Sequence, residues 1–122
     1  MDPPVRDLWE RWRSERRRIL APALLLYEVT NTLHRLCLAG ELSRRRAAEA
    51  LEAALTLPIT LEAGEDLHHR AMEIAARFNR PATYDAHYLA VAEWHGAEFW
   101  TADERLYNAV QSHLSWVHLV EI

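Results

Sequence analysis

The sequence predicts an α/β fold, rich in helix and built on a small parallel sheet flanked by helices. Three features carry this reading. Apolar residues recur at helical spacing through several segments, short apolar runs separate those segments, and proline or glycine stands at the junctions. Strands that alternate with helices pair in parallel through right-handed crossovers. Short and mostly apolar strands suit a sheet covered on both faces.

Each element has its own warrant. Pro3 and Pro4 precede a helix from Val5 to about Arg18, in which Val5, Leu8, Trp9 and Trp12 share a face. Ile19 to Ala21 reads as a short strand. Pro22 suits the first turn of a second helix, which runs to Ala39 and stops at Gly40. Ser43 is an N-cap for an Arg- and Ala-rich helix ending near Leu55. Pro58 to Leu61 reads as a strand, and Gly64 to Asn79 as a helix with Leu67, Ala71, Ile74, Ala75 and Phe78 on one face. Pro81 breaks that helix, and Thr83 is placed to cap the next, from Tyr84 to His95, which Gly96 closes. Ala97 to Thr101 is a strand, Ala102 to about Ser112 a helix, and Trp116 to Val120 the last strand.

The chain has 122 residues, half of them hydrophobic, and carries a formal charge of −4. That is one domain of ordinary size, large enough to bury a core and too apolar to be disordered. Cys37 is the single cysteine, so no internal disulfide forms. No apolar run approaches the ~18 residues of a membrane span, and the start lacks a signal-peptide core, so a cytoplasmic protein with no membrane association is expected. The acidic balance argues against a wholly basic nucleic-acid wrapper. All 14 basic residues are Arg, most simply a coding bias. The clusters Arg16 to Arg18 and Arg44 to Arg46 are where bidentate phosphate binding would lie, against the plainer reading of solvated faces.

In an open parallel sheet, ligands bind beyond the carboxyl ends of the strands. Asp103 follows the Ala97–Thr101 strand, Glu28 and Asn31 lie in the helix after the Ile19–Ala21 strand, and Asp85 lies in the first turn of its helix. Converging carboxylates repel and recruit a hard cation such as Mg²⁺ or Mn²⁺, which activates water for phosphodiester cleavage. Each acid also has a structural reading. Asp103 and Asp85 are favoured at helix starts by the dipole and free N–H groups. Glu28, Asn31, Thr32 and Arg35 form one polar stripe that suits a solvated face. The histidines show no zinc spacing, since His68 and His69 are adjacent and His87 and His95 lie eight apart. His87 is near enough to Asp85 to edge a pocket, though packing is the simpler role. The three glycines are too scattered for a phosphate loop, Ser43 has no nucleophile elbow around it, and Cys37 reads as a small core residue.

The segment Ala21-Pro22-Ala23-Leu24-Leu25-Leu26-Tyr27-Glu28-Val29-Thr30-Asn31 resembles the acidic-helix motif of PIN domains. Tyr84-Asp85-Ala86-His87-Tyr88-Leu89-Ala90-Val91-Ala92 resembles their third-acid motif, and Trp100-Thr101-Ala102-Asp103-Glu104-Arg105-Leu106 their Thr-x-Asp-x-x-Leu motif. Order and spacing match along almost the whole chain, and the VapC-like toxins of toxin–antitoxin pairs are the most similar group. The resemblance implies a three-layer PIN-like fold and a Mg²⁺- or Mn²⁺-dependent endoribonuclease. It further implies a homodimer held inactive by an antitoxin protein. Carried over, Glu28, Asp85 and Asp103 are the catalytic, metal-site acids, and Asn31 and Thr101 support them by hydrogen bonding.

PIN domains open with a central apolar strand ending in an Asp. Asp2 and Asp7 follow no apolar strand here, so neither is assigned that role. The expectation is a single PIN-like domain over residues 1–122, truncated at its N-terminus relative to the family. Loss of the central strand would leave its two neighbours with costly unmade hydrogen bonds, so either the start is too late or a swapped strand, a partner or a rearranged sheet fills the gap. Weakened metal binding and low activity follow from the missing acid. The competing expectation is an inactive PIN-fold module that acts by dimerisation or antitoxin binding, with Trp9 and Trp12 contributing to the surface. A helical DNA-binding protein fits poorly, because no basic recognition helix is present.

Overall fold

The computed structural model describes residues 3–121. Ten elements follow one another: α1 (Pro3–Ser14), β1 (Ile19–Pro22), α2 (Leu24–Leu38), α3 (Arg44–Leu55), β2 (Ile59–Glu62), α4 (Glu65–Arg77), α5 (Tyr84–His95), β3 (Phe99–Thr101), α6 (Glu104–Val110) and β4 (Val117–Leu119). This is the mixed α/β architecture expected, with local differences at several element ends, among them α1, which takes in Pro3 and Pro4 as its first residues.

The first helix stops at Ser14 instead of continuing to Arg18. Arg16 adopts a left-handed conformation (φ 57°), and the Ser14 hydroxyl donates back to the Arg11 carbonyl at 2.9 Å. Pro22 is the last residue of β1, not the first turn of a helix. The Ala23 N–H donates to the Glu62 carbonyl (2.8 Å), so the strand ladder holds the chain extended through this point and α2 starts only at Leu24. Thr83 occupies the position before α5, but its side chain caps nothing; its carbonyl takes the bond from the His87 N–H instead. Other signals act as read. The Ser43 hydroxyl accepts from the Arg46 N–H at 3.1 Å. Gly40 (φ 73°) ends the second helix with paired bonds from Gly40 N–H to Cys37 O and Glu41 N–H to Leu36 O, both 3.0 Å.

The strands form two separate parallel pairs, β1–β2 and β3–β4. Ile19 sits opposite Ile59 in the first, and Phe99 opposite Val117 in the second. Among the described residues β1 and β3 do not pair with each other. The Ala23-to-Glu62 bond and the two-residue repeat of a parallel ladder leave the Leu20 N–H and C=O, and the Pro22 C=O, on the far edge of β1. Pro22 lacks an N–H and is tolerated on such an edge. Bonds from Phe99 N–H to Trp116 O (3.0 Å) and from Val120 N–H to Thr101 O (2.8 Å) likewise turn the Trp100 backbone to the free edge of β3. Each inner strand, β1 and β3, thus keeps one edge without a strand partner among the described residues.

Side chains hold the two pairs together. Helix α5 packs on both β1 and β3. Arg17, just ahead of β1, bonds Glu98, just ahead of β3, at 2.8 Å. Tyr88 of α5 stacks on Phe99, whereas Trp12 of α1 meets Trp100 edge-on. Adjacent strand residues point to opposite faces, so α5 covers one face of the β3–β4 pair and α1 the other.

The core is lopsided. Its buried cluster comprises Ala71, Ile74 and Ala75 of α4, Ala86, Leu89 and Ala90 of α5, Leu106 and Val110 of α6, and Leu114 and Val117. Helices α1, α2 and α3 bury no residue completely. Cys37 is half-buried between α2 and α3, with its thiol 3.8 Å from the Ser43 carbonyl oxygen, and is not a member of the buried cluster. Arg70 clamps Glu93 through two bonds of 2.6 and 2.9 Å, tying α4 to α5 and holding the Glu93 carboxyl below its ordinary range.

Leu89→Ala is expected to cost ~3–5 kcal/mol, whereas Leu33→Ala in the half-buried α2–α3 hairpin is expected to cost no more than ~2 kcal/mol. Urea denaturation of the two variants tests this; equal losses would contradict the one-sided core.

Candidate active site

Three carboxylates approach one region from separate elements. Asp103 follows β3 and precedes α6. Its Oδ1 accepts from the Arg105 N–H (2.9 Å) and the Leu106 N–H (3.2 Å), and its own N–H donates to the Thr101 hydroxyl oxygen (3.0 Å). Asp103 is therefore an N-cap, as its structural reading requires, and Thr101 positions it. One carboxylate oxygen remains outside these bonds. Glu28 lies in the first turns of α2, where its Oε1 accepts from the Tyr88 hydroxyl at 2.6 Å. This bond fixes the carboxylate against α5, the helix that carries Asp85.

Asp85 registers the other two acids. Its carboxyl is pushed above the ordinary range, first by burial, then by the negative charge of Asp103 and more weakly by that of Glu28. Arg80 opposes the rise. Burial and the Glu28 carboxylate also push the Tyr88 phenol upward, so it remains a hydrogen-bond donor at neutral pH. The arrangement is a patch of mutually repelling carboxylates. The carboxylate oxygens of these acids are hard donors of the kind that Mg²⁺ or Mn²⁺ takes. Their spacing is open: among the described residues no three His, Cys, Asp or Glu side chains close into a cation-binding group. Asn31 is exposed on α2 and makes no side-chain bond to the acids among the described residues.

Of the other residues read from sequence, His87 turns towards α4 and makes no bond to the three acids among the described residues. Its Nδ1 bonds the Thr83 carbonyl at 2.6 Å and its Nε2 meets His68 Nδ1 at 2.9 Å. Because a carbonyl only accepts, the neutral His87 carries its proton on Nδ1 and accepts from His68. His95 instead bonds Glu62 at 2.9 Å. The arginine clusters are spent elsewhere or exposed: Arg17 pairs with Glu98, and Arg45 with Glu49 at 3.4 Å. Asp7 lies in α1, and Asp2 falls outside the described residues. A cleft of about 490 Å³ between α4 and α5, lined by Glu65, Arg70, Trp94 and His95, includes none of the three acids.

Sequence reading missed Tyr88 and Arg80. Tyr88 sits three residues after Asp85, on the same side of a helix, a spacing that marks it as a neighbour but does not say that it reaches Glu28. Arg80 was masked by the more conspicuous runs of arginine.

Two stability outcomes follow. Asp103→Asn keeps a good cap and is expected to change stability little, whereas Asp103→Ala is expected to lose ~1 kcal/mol in thermal unfolding. For Asp85 the folded-state carboxyl titrates above its unfolded value, so its ionisation costs stability as pH rises through that window. Asp85→Asn in chelator is therefore expected to raise Tm slightly near neutral pH, since the residue is exposed and solvent screens the effect, and to have no effect in acid below the ordinary carboxylate range. A Tm gain that persists in acid would point to some other cause.

The profile of the PIN domain family matches residues 2–111, which spans the three acids and all but the end of the chain. No curated protein matches the sequence significantly. PIN domains are generally nucleases that use divalent metals, which agrees with clustered carboxylates at strand and helix ends. By the extent of that match and the α/β architecture, the chain belongs to the PIN domain family.

Proposed function

We propose that this chain is a Mg²⁺- or Mn²⁺-dependent endoribonuclease, the toxin of a cytoplasmic toxin–antitoxin pair, working as a homodimer restrained by an antitoxin protein. The observation that carries the reading is the tie between the elements that bear the acids: Tyr88, one turn after Asp85 on α5, bonds Glu28 of α2 and stacks on Phe99 of β3, the strand that leads to Asp103. Glu28, Asp85 and Asp103 would hold the ion, which supplies charge neutralisation and a competent nucleophile at neutral pH.

The chain's own residues then do the following. Tyr88 orients Glu28 through its hydroxyl, and Thr101 with the first turn of α6 orients Asp103. Pre-set carboxylates lose little freedom when they engage substrate and ion. Burial and the neighbouring acids keep Asp85 ready to bind positive charge. Asn31, one turn along from Glu28, is available to hydrogen-bond substrate. Scission of the phosphodiester by water leaves a 3′-hydroxyl and a 5′-phosphate.

A second reading is favoured by the open spacing of the acids and by the half-buried α2–α3 hairpin: a module that keeps the fold and acts by dimerisation or antitoxin binding. Cleavage of labelled RNA separates the two. Purified protein with Mn²⁺ or Mg²⁺ is expected to cut, and chelator to stop it. Asp85→Asn and Asp103→Asn are each expected to lower the rate at least ~100-fold. Cleavage that survives both substitutions would mark a contaminating nuclease and sink the assignment. Absence of cleavage together with absence of saturable Mn²⁺ binding would favour the binding module.

A further inference from the structure

Among the described residues three aromatic side chains belong to residues more than half exposed: Tyr27 at 74%, Tyr84 at 63% and Trp94 at 76%. Two of the three directly precede a site acid, Tyr27 before Glu28 and Tyr84 before Asp85. They come from helices 57 positions apart in the chain, so local sequence does not explain the coincidence. Neither ring has an aromatic partner, an ion pair or a hydrogen bond among the described residues. Packing accounts for neither.

Their placement follows from contacts already described. Tyr84 is one helical turn before Tyr88 on α5, and residues four apart share a face. Tyr88 reaches Glu28 on α2 (2.6 Å). Tyr84 therefore continues the face of α5 that meets α2 at Glu28, the neighbour of Tyr27. Side chains on a helix lean towards its N-terminus, so the exposed Tyr84 ring leans towards the open start of α5. Arg80 stands in the turn before this helix, half-buried, and makes no ion pair among the described residues. Its charge is felt at Asp85.

We propose that Tyr27 and Tyr84 stack on nucleobases flanking the scissile phosphate while Arg80 holds an adjacent phosphate, so that these three side chains supply the site's grip on RNA. Every base has a π-face, so stacking on tyrosine gives affinity without a strict sequence code. A base is free to stack only when it is unpaired, and duplex RNA hides these faces. The acids repel the phosphate backbone, and an arginine whose charge reaches Asp85 favours phosphate entry beside it. The proposal rests on the ribonuclease reading and concerns how that site holds its substrate.

Binding of a fluorescein-labelled single-stranded RNA 12-mer and of the same sequence as a duplex, measured by anisotropy with Ca²⁺ present, tests the proposal. Tyr27→Ala and Tyr84→Ala are each expected to weaken single-strand binding ~5–100-fold and to leave duplex binding unchanged. Phe at either position is expected to restore affinity, since the ring and not the hydroxyl does the stacking. Arg80→Ala is expected to flatten the logarithmic salt dependence of single-strand binding by ~0.7. In cleavage with Mn²⁺, the Tyr variants are expected to raise KM more than they lower kcat. Equal losses for single strand and duplex would overturn the proposal. So would wild-type affinity in both Ala variants, which would reassign the rings to a protein partner. If the wild type cleaves RNA in those cases, the ribonuclease reading stands and only this inference fails. If the wild type neither binds nor cleaves RNA, both fail.

Discussion

The burial of α5 is the constraint on which the rest of the molecule depends. No strand hydrogen bond joins the β1–β2 pair to the β3–β4 pair among the described residues. The two halves are held by what touches both, and α5 is the element that packs on each inner strand. Ala86, Leu89, Ala90, Val91 and Ala92 are all buried along it. The alanines let strands and α4 approach closely, and Leu89 fills the space between α4 and α6. Because apolar residues surround this helix, it shows no strong polar face, as befits a helix covered on several sides.

That position also determines the site. Asp85 opens α5, and Tyr88, one turn on, binds Glu28 of α2 and stacks on Phe99 of β3. A single helix therefore sets the distance between acids that belong to different halves of the sheet. The energetic signs differ among them. Asp103 caps α6, a favourable term of about 1 kcal/mol. Asp85 caps nothing among the described residues, and partial burial and then the Asp103 charge push its carboxyl upward, so its ionised form costs the fold some stability.

The open edges of β1 and β3 belong to the same picture. The Leu20 and Trp100 backbones turn away from their paired strands, and the Arg17–Glu98 ion pair bridges the starts of the two strands with long side chains. Exposed pairs of this kind contribute little, typically ~1 kcal/mol or less. The apolar contacts of α5, and the edge-on pair of Trp12 and Trp100 over the other face, are the stronger link between the halves.

The sequence by itself determined the elements and their kind, because hydrophobic period and turn chemistry are local. Ser43, Gly40 and Gly96 act where their types dictate, and the three acids fall in motifs whose order carries the family. Pro22 shows the limit: as a local signal it suits a helix start, but the ladder bond from Ala23 to Glu62 keeps it in the strand. The tertiary structure alone decided the division of the sheet into two pairs, the one-sided core, and the partners of the site acids. Tyr88 meeting Glu28 across 60 residues, and Asp85 feeling Asp103, are contacts between elements distant in the chain. No periodicity encodes such contacts; they arise only when α5 is packed against both strand pairs at once.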